Sequence, residues 1–177
     1  MNLLKKVVLT VFLIVLTSVH IEAQTVSPKD ILQTLQTFYT KFKGGEELIK
    51  KANGYLVFPQ IYKAGFVVGG EYGEGALVQQ GSINSYYKMY STSIGLQAGA
   101  QKRSLLVLFL TKEALEKFVN REEWKVGVDG GIAVMNWSAN TDLSSVDIKK
   151  DTIAIPFSNV GVMANISLEG TVFQKLR

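Results

Sequence analysis

The segment from Ala64 to Leu77 constrains the fold more than any other part of the chain. Five of its fourteen residues are glycine, yet it alternates as a β-strand does. Its even positions are mostly apolar, and its odd positions before Leu77 are Gly65, Val67, Gly69, Glu71, Gly73 and Gly75. Because successive side chains of a strand point to opposite faces, one face is nearly bare backbone. Since glycine weakens a strand, this face predicts a sharp bend or the close approach of another element.

The first 23 residues predict a secretory signal peptide. Lys5 and Lys6 precede an apolar run over residues 7–16, and Ala23 supplies a small residue at the cleavage point. The run is shorter than the roughly 20 residues that a membrane span needs. No cysteine lies near the cleavage point, which excludes a lipid-anchored lipoprotein, and an uncleaved anchor is the alternative. We therefore expect an exported protein, periplasmic or secreted, with the outer membrane as a candidate surface for peripheral attachment.

The composition of residues 24–177 bounds the function. Cleavage after residue 23 leaves 154 residues, a length suited to a single domain. Without Lys5, Lys6 and Glu22 the net charge is +3, and an exported chain of that charge predicts no nucleic-acid partner. Cysteine is absent and the one histidine, His20, lies in the signal peptide. This removes Ser-His and Cys-His nucleophile pairs and the usual zinc sites, so we predict no catalytic residue, no metal and no cofactor.

Three segments predict helices. Over residues 27–43, Ser27 is a suitable N-cap, Pro28 fits the first helical position, and apolar residues recur at helical spacing. The stripe consists of Ile31, Leu32, Leu35, Phe38, Tyr39 and Phe42. Gly44-Gly45 ends this helix, and a short second helix is predicted over residues 46–52. Thr111 is predicted to cap a third, through Val119.

The remaining pattern is mostly that of strands. They are predicted at residues 55–58, 66–79, 85–100 (one or two strands), 105–110, 124–137, 152–157 and 161–174, with a polar loop over residues 140–151. A weak repeat of glycine, apolar, any, small, then glycine or asparagine begins at Gly65, Gly95, Gly127 and Gly161, at intervals of 30, 32 and 34 residues. We interpret it as a hairpin-scale unit repeated around a curved sheet. The predicted fold is α+β: a curved antiparallel β-sheet, or a barrel-like one, with an N-terminal amphipathic helix and one or two further short helices.

Two enzymatic interpretations have little support in the sequence. The glycine-rich segment only loosely matches a phosphate-binding loop, because no Lys-Ser/Thr pair follows and Glu71 and Glu74 would repel phosphate. A carboxylate hydrolase would need Glu71 or Glu74 to approach Asp129 around a cleft. Glu71 and Glu74 are expected on opposite faces of an ideal strand, which argues against that convergence.

The basic residues predict a different kind of site. Five lysines lie close to the N-terminal helix, which carries Phe38, Tyr39 and Phe42; they are Lys41, Lys43, Lys50, Lys51 and Lys63. A surface helix that combines apolar insertion with lysines can bind an anionic membrane. The alternative is that the apolar stripe packs on the sheet and the lysines form a solvated rim. These eight residues are the candidate lipid contacts.

Several stretches resemble the signature of the SYLF lipid-binding domain family. They are residues 53–59 (NGYLVFP), 63–75 (KAGFVVGGEYGEG), 93–101 (SIGLQAGAQ), 105–110 with the following helix, 124–130 (WKVGVDG), 161–163 (GVM) and 168–170 (LEG). The resemblance spans about residues 30–175. It implies a mixed fold, with an antiparallel sheet or barrel and helices, and phospholipid binding through the N-terminal helix and a basic surface.

Two functions follow as expectations. The first is an exported, non-enzymatic protein that binds phospholipid or an anionic membrane surface. The second is a structural or partner-binding envelope protein without lipid specificity, whose N-terminal helix packs within the molecule. Burial of Phe38 and Phe42 against the sheet would favour the second.

Overall fold

A computed structural model describes residues 26–65, 68–94, 99–135, 142–145, 149–158, 161–162 and 166–176. The signal-peptide prediction and parts of three repeat units therefore lie outside the described residues. The first helix, α1 (Pro28–Lys41), begins as predicted, with Ser27 and Asp30 in a reciprocal capping box and proline in the first turn. A second helix, α2, spans Gly45–Lys50, and a third, α3, spans Lys112–Val119 with Thr111 as its N-cap.

Nine described strands form one sheet. They are β1 (Gly54–Gly65), β2 (Val68–Gln79), β3 (Ser82–Ile94), β4 (Gly99–Phe109), β5 (Glu123–Lys125), β6 (Ala133–Val134), β7 (Thr152–Ser158), β8 (Gly161–Val162) and β9 (Val172–Lys175). Eight of them follow the order β5-β9-β3-β2-β1-β4-β7-β6, and β8 pairs with β7. The strand pairs are antiparallel except β6 with β7. The sheet is curled and open, which confirms the predicted α+β class and curvature.

The first strand is longer than the sequence predicts. It continues beyond Pro59 to Gly65. Its pairing with β2 and its pairing with β4 each have one shift of register, and both shifts span that proline. A bulge places a proline where no ladder hydrogen bond is lost. Ser104 Oγ donates to the Pro59 carbonyl at 2.8 Å and so satisfies one exposed acceptor of the bulge.

The glycines of β2 allow the close approach that the sequence predicts. Gly73 and Gly75 lie on one face of β2, directly beside the β1 bulge. A Cβ added at Gly73 would lie 2.9 Å from Ile61 Cγ1, and one at Gly75 would lie 2.6 Å from Phe58 Cδ1. The side chains of β1 therefore pack directly against the bare backbone of β2.

Both faces of the central sheet are buried. On one face, which we call the α1 face, α1 and α2 cover Val57, Leu106 and Leu108. On the other, the α3 face, α3 packs with Leu105 and Val107 in a second core that includes Trp124 and Phe173. This explains why residues 105–109 form an uninterrupted apolar run, as predicted for a buried strand.

Two predicted strands are wrong in extent. The described part of residues 124–137 holds only the end of β5 and the two residues of β6, because the chain reverses at Gly127, whose φ is +85°. Asp129 Oδ2 accepts from the Lys125 amide at 2.7 Å and closes this turn. Residues 161–174 hold the short strands β8 and β9, with a turn at Gly170, whose φ is +75°. The repeat unit at Gly127 thus forms a tight turn and does not correspond to the strands that contain Gly65 and Gly69.

Candidate functional site

The apolar stripe of α1 packs on the sheet. Phe38 and Phe42 are 0% and 1% exposed. Their ring centroids lie 5.5 and 6.0 Å from that of Phe157 on β7, and 4.8 Å from each other. Tyr39 is half-buried, and this burial, with the nearby Glu46, raises its pKa. In this structure the two phenylalanine rings are part of the core.

One member of the predicted stripe points outward. Leu32 is 61% exposed, although Ile31 beside it is buried. Adjacent residues of a helix lie about 100° apart around its axis, so one residue at the edge of a stripe can leave the core. Leu32 shares the outer face of α1 with Lys29, Gln36 and Thr40, all of them exposed. This outer stripe is the helix surface that a partner can reach.

Three predicted lysines gather around α2 and the short 3₁₀ helix Leu143–Ser145. Lys43 Nζ lies 2.8 Å from Asp142 Oδ2, and Lys51 Nζ donates to the Ser144 carbonyl at 3.0 Å. Lys50 Nζ lies 2.8 Å from Glu46 Oε1, one turn earlier in α2. These lysines remain largely in contact with solvent, so their pairs restrain them only weakly.

A basic pair outside the predicted site, Lys149 and Lys150, lies at the same end of the molecule. The Asn53 amide donates to the Phe109 carbonyl and the Leu110 amide donates to the Asp151 carbonyl, both at 2.8 Å. These bonds bring the segment before β7 to the end of the sheet where α2 leads into β1. We call this surface the basic end, and it comprises Lys41, Lys43, Lys50, Lys51, Lys149 and Lys150. With Glu46, Glu47, Asp142 and Asp151 its net charge is +2.

The pair between Lys43 and Asp142 predicts a measurable titration. The hydrogen bond from Lys43, with those from Ser144, lowers the pKa of Asp142 from 3.8 to about 2. Because the folded pKa is depressed, the pair stabilises the fold above about pH 4, and that contribution is lost as the pH falls through about 2. We expect the Asp142 carboxyl carbon to titrate near pH 2 by NMR and to move toward 3.8 in Lys43→Gln. Lys50→Gln should leave it unchanged; an equal change there would contradict the assignment.

The fifth predicted lysine lies elsewhere. Lys63 is nine residues beyond Gly54 on β1, roughly 30 Å away at the rise of an extended strand. Its Nζ lies 3.6 Å from Glu71 Oε1 on β2. The structure therefore brings together the lysines near α2 but places Lys63 at the opposite end of β1.

The carboxylates of β2 do not converge. Glu71 and Glu74 occupy opposite faces of the strand, as the alternation predicts. Glu71 accepts from Arg103 on the α3 face, whereas Glu74 accepts from the Tyr72 hydroxyl at 2.7 Å. Desolvation, with this bond to Glu74, raises the pKa of Tyr72 to about 12, so the phenol stays protonated at neutral pH.

The third candidate carboxylate has its own partners. Asp129 Oδ1 accepts from Arg121 at 2.7 Å, and its Oδ2 accepts from the Lys125 amide. Across the part of the chain that the structure describes, no group of three or more His, Cys, Asp or Glu side chains is arranged to hold a metal ion. Each carboxylate therefore has an ionic or hydrogen-bonding role of its own.

No helix among the described residues combines the length and the apolar character that crossing a membrane requires.

Comparison with known proteins gives one family. Residues 90–176 match the model of the Ysc84 family, described as "Las17-binding protein actin regulator". The match runs from the end of β3 to the end of β9, and residues 53–75 lie upstream of it. No curated protein matches the chain.

Proposed function

Because this chain belongs to the SYLF domain family, the family of the Ysc84 model, we propose that it is an exported, non-enzymatic phospholipid-binding protein. Its basic end contacts an anionic membrane surface. The observation that carries the proposal is the gathering of Lys43, Lys50 and Lys51 around α2, joined by Lys149 and Lys150 from a segment about 100 residues away. The membrane in this proposal belongs to the envelope of the cell that exports the protein.

The electrostatics of the basic end suit a reversible contact. A lysine close to an anionic bilayer contributes about 1 kcal/mol. The ion pairs of Lys43 and Lys50 are exposed, and such pairs are worth about 0–1 kcal/mol, so lipid phosphates can compete with Asp142 and Glu46. Because α1 keeps Phe38 and Phe42 in the core, its outer stripe meets the bilayer, and Leu32 is the apolar contact.

Vesicle co-sedimentation tests the proposal. We expect the protein to pellet with phosphatidylglycerol vesicles and not with phosphatidylcholine vesicles, with binding that falls as salt rises. Reversal of Lys41, Lys43, Lys50 and Lys51 to glutamate should weaken binding on the order of 10³-fold at low salt, since four contacts of about 1 kcal/mol each are lost.

The matched control reverses four exposed lysines outside the basic end: Lys102, Lys112, Lys117 and Lys125. It makes the same change in net charge, and we expect it to retain most of the binding. An equal loss in the two variants would show a long-range charge effect without a defined surface. Failure of the wild-type protein to pellet with either vesicle would overturn lipid binding.

A second function has an observation in its favour. Burial of Phe38 and Phe42 against Phe157 suits a partner-binding envelope protein whose α1 packs within the molecule. The family description names Las17 binding and actin regulation for its members, which are protein interactions. This alternative predicts that the wild-type protein stays in the supernatant with every vesicle composition.

Export is tested separately. We expect the protein recovered from the cell envelope or the medium to begin at Gln24. An N-terminus that still contains residues 1–23 would contradict cleavage of the signal peptide.

A further inference from the structure

A buried guanidinium lies on the α3 face, away from the basic end. The Arg103 side chain on β4 is 4% exposed, and its Nη2 donates to Glu71 Oε2 on β2. Glu71 is itself only 10% exposed. Lys63 Nζ, on the intervening strand β1, lies 3.6 Å from the other oxygen of the same carboxylate. Two cations therefore share one anion, and the cluster carries a surplus charge of +1.

One donor of this cluster has no acceptor among the described residues. Arg103 Nη1 is buried, and no described group offers it a hydrogen bond. A buried donor on a charged group is costly to leave unpaired, and most such atoms in folded proteins have a partner. The cluster thus has both an unused donor and an unneutralised charge, and one anionic oxygen would satisfy both.

The neighbouring positions of the sheet carry polar side chains and glycine. Gln101 pairs in register with Lys63, and Ser91 pairs with Glu71, which adds two polar side chains to the same row. In the next row Gly65 pairs with both Gly69 and Gly99, so three adjacent strands have no side chain there. Bare backbone beside a cationic cluster permits the close approach of a tetrahedral anion.

We propose that Arg103 and Lys63 form a binding site for a phosphate group at the glycine-rich end of the α3 face. Arg103 keeps Glu71 on Nη2 and directs Nη1 to a phosphate oxygen, while Lys63 contributes a point charge from the more exposed side. Guanidinium and ammonium groups both recognise phosphate, the first by directional hydrogen bonds. The phosphate is either free in solution or part of a lipid headgroup, and the site does not depend on the lysines of the basic end.

Thermal unfolding with added ligand tests the site, because a ligand that binds the folded state raises Tm in a saturable way. The free-phosphate arm titrates inorganic phosphate against chloride at matched ionic strength. The lipid arm uses phosphatidylglycerol vesicles and follows the Arg103 side-chain Nη–Hη signals by NMR. We expect a saturable rise in Tm in the first arm or a shift of those signals in the second, and the arm that responds identifies the source of the phosphate.

Three variants make the result specific. Lys63→Gln should weaken the response at least tenfold. Lys102→Gln changes the neighbouring residue of β4, which is exposed on the opposite face, and should leave the response unchanged. Arg103→Gln alone leaves the buried Glu71 with only its longer contact to Lys63 and risks unfolding. The double change Arg103→Leu with Glu71→Leu therefore removes both buried ions and should abolish the response.

Three results would overturn the site. They are the absence of any saturable response in both arms, equal losses in Lys63→Gln and Lys102→Gln, and a full response in the folded double variant. The variant with Lys41, Lys43, Lys50 and Lys51 reversed separates this site from the proposed membrane contact. It should lose vesicle pelleting and keep the response to inorganic phosphate if the free anion is the ligand. If the headgroup is the ligand, the wild-type protein responds to vesicles and not to inorganic phosphate. Lys63→Gln then reduces the response to vesicles although every lysine of the basic end is unchanged.

Discussion

Phe38→Ala is expected to lower the free energy of unfolding by about 3–5 kcal/mol, the usual cost of removing a buried aromatic ring. Phe38 is fully buried and packs on three other rings, those of Tyr39, Phe42 and Phe157. It also lies against Gly45, where an added Cβ would come within 2.9 Å of its ring, so α2 depends on the same contact. The shift in denaturation midpoint at unchanged m-value measures the effect.

The matched control lies on the same helix. Leu32→Ala removes an apolar side chain that is mostly exposed, and we expect a change within about 0.5 kcal/mol. Its effect should appear in vesicle binding, because Leu32 is the apolar residue of the outer stripe. If Leu32→Ala costs as much stability as Phe38→Ala, the described orientation of α1 is wrong. If the folded Phe42→Leu variant, which keeps the core apolar, loses vesicle binding while Leu32→Ala does not, α1 turns its buried stripe to the membrane.

The sequence predicts most accurately where local chemistry decides the structure. The start of α1 follows from Ser27, Pro28 and Asp30, which lie within four residues and bond to one another. Thr111 identifies the start of α3 in the same way. The curvature and the tight β1–β2 contact follow from glycines whose missing side chains have a direct steric meaning.

The parts that the sequence does not predict depend on contacts between distant segments. The extension of β1 past Pro59 requires a bulge that is matched by both neighbouring strands. The apolar stripe of α1 has the same pattern whether it covers a sheet or a membrane, so periodicity alone could not separate Leu32 from Phe38. Lys149 and Lys150 belong to the basic end because the segment before β7 is bonded there. The proximity of Lys50 and Lys63 in sequence gives no sign that Lys63 lies nine residues beyond the start of the extended strand β1.

The buried cluster had one signal in the sequence. A basic pair such as Lys102-Arg103 is typical of an exposed turn, but both residues lie in β4. The register of β4 places them on opposite faces of the sheet, with Lys102 exposed and Arg103 in the α3 core. Glu71 is the acidic residue on the glycine-rich face of β2. A carboxylate at that position, among residues without side chains, is the sequence signal of the cluster.

Gly75→Ala is expected to destabilise the domain by about 3 kcal/mol, at the upper end of the usual cost of overpacking. The added Cβ would overlap the Val57 carbonyl oxygen and lie 2.6 Å from Phe58 Cδ1. The first of these is backbone at the β1 bulge, so relief requires β1 and β2 to move apart, and rotation of one side chain is not enough. Amide hydrogen exchange should locate the damage in β1 and β2, with lower protection around residues 55–61 and 73–78 than in α3.

Gly131→Ala is the control for that change. Among the described residues, no heavy atom beyond the two chain neighbours lies within 4 Å of a Cβ added at Gly131, and the φ of Gly131 is not in the left-handed region. We therefore expect the variant's free energy of unfolding to stay within about 0.5 kcal/mol of the wild-type value. The comparison separates steric approach from the general loss of backbone entropy, because alanine restricts the unfolded chain similarly at both positions. Equal stabilities for the two variants would mean that Gly75 is not in contact with the bulge. A large loss at Gly75 alone would show that glycine in this segment is required by the packing of β1, which is the strand that carries Lys63 beside Arg103.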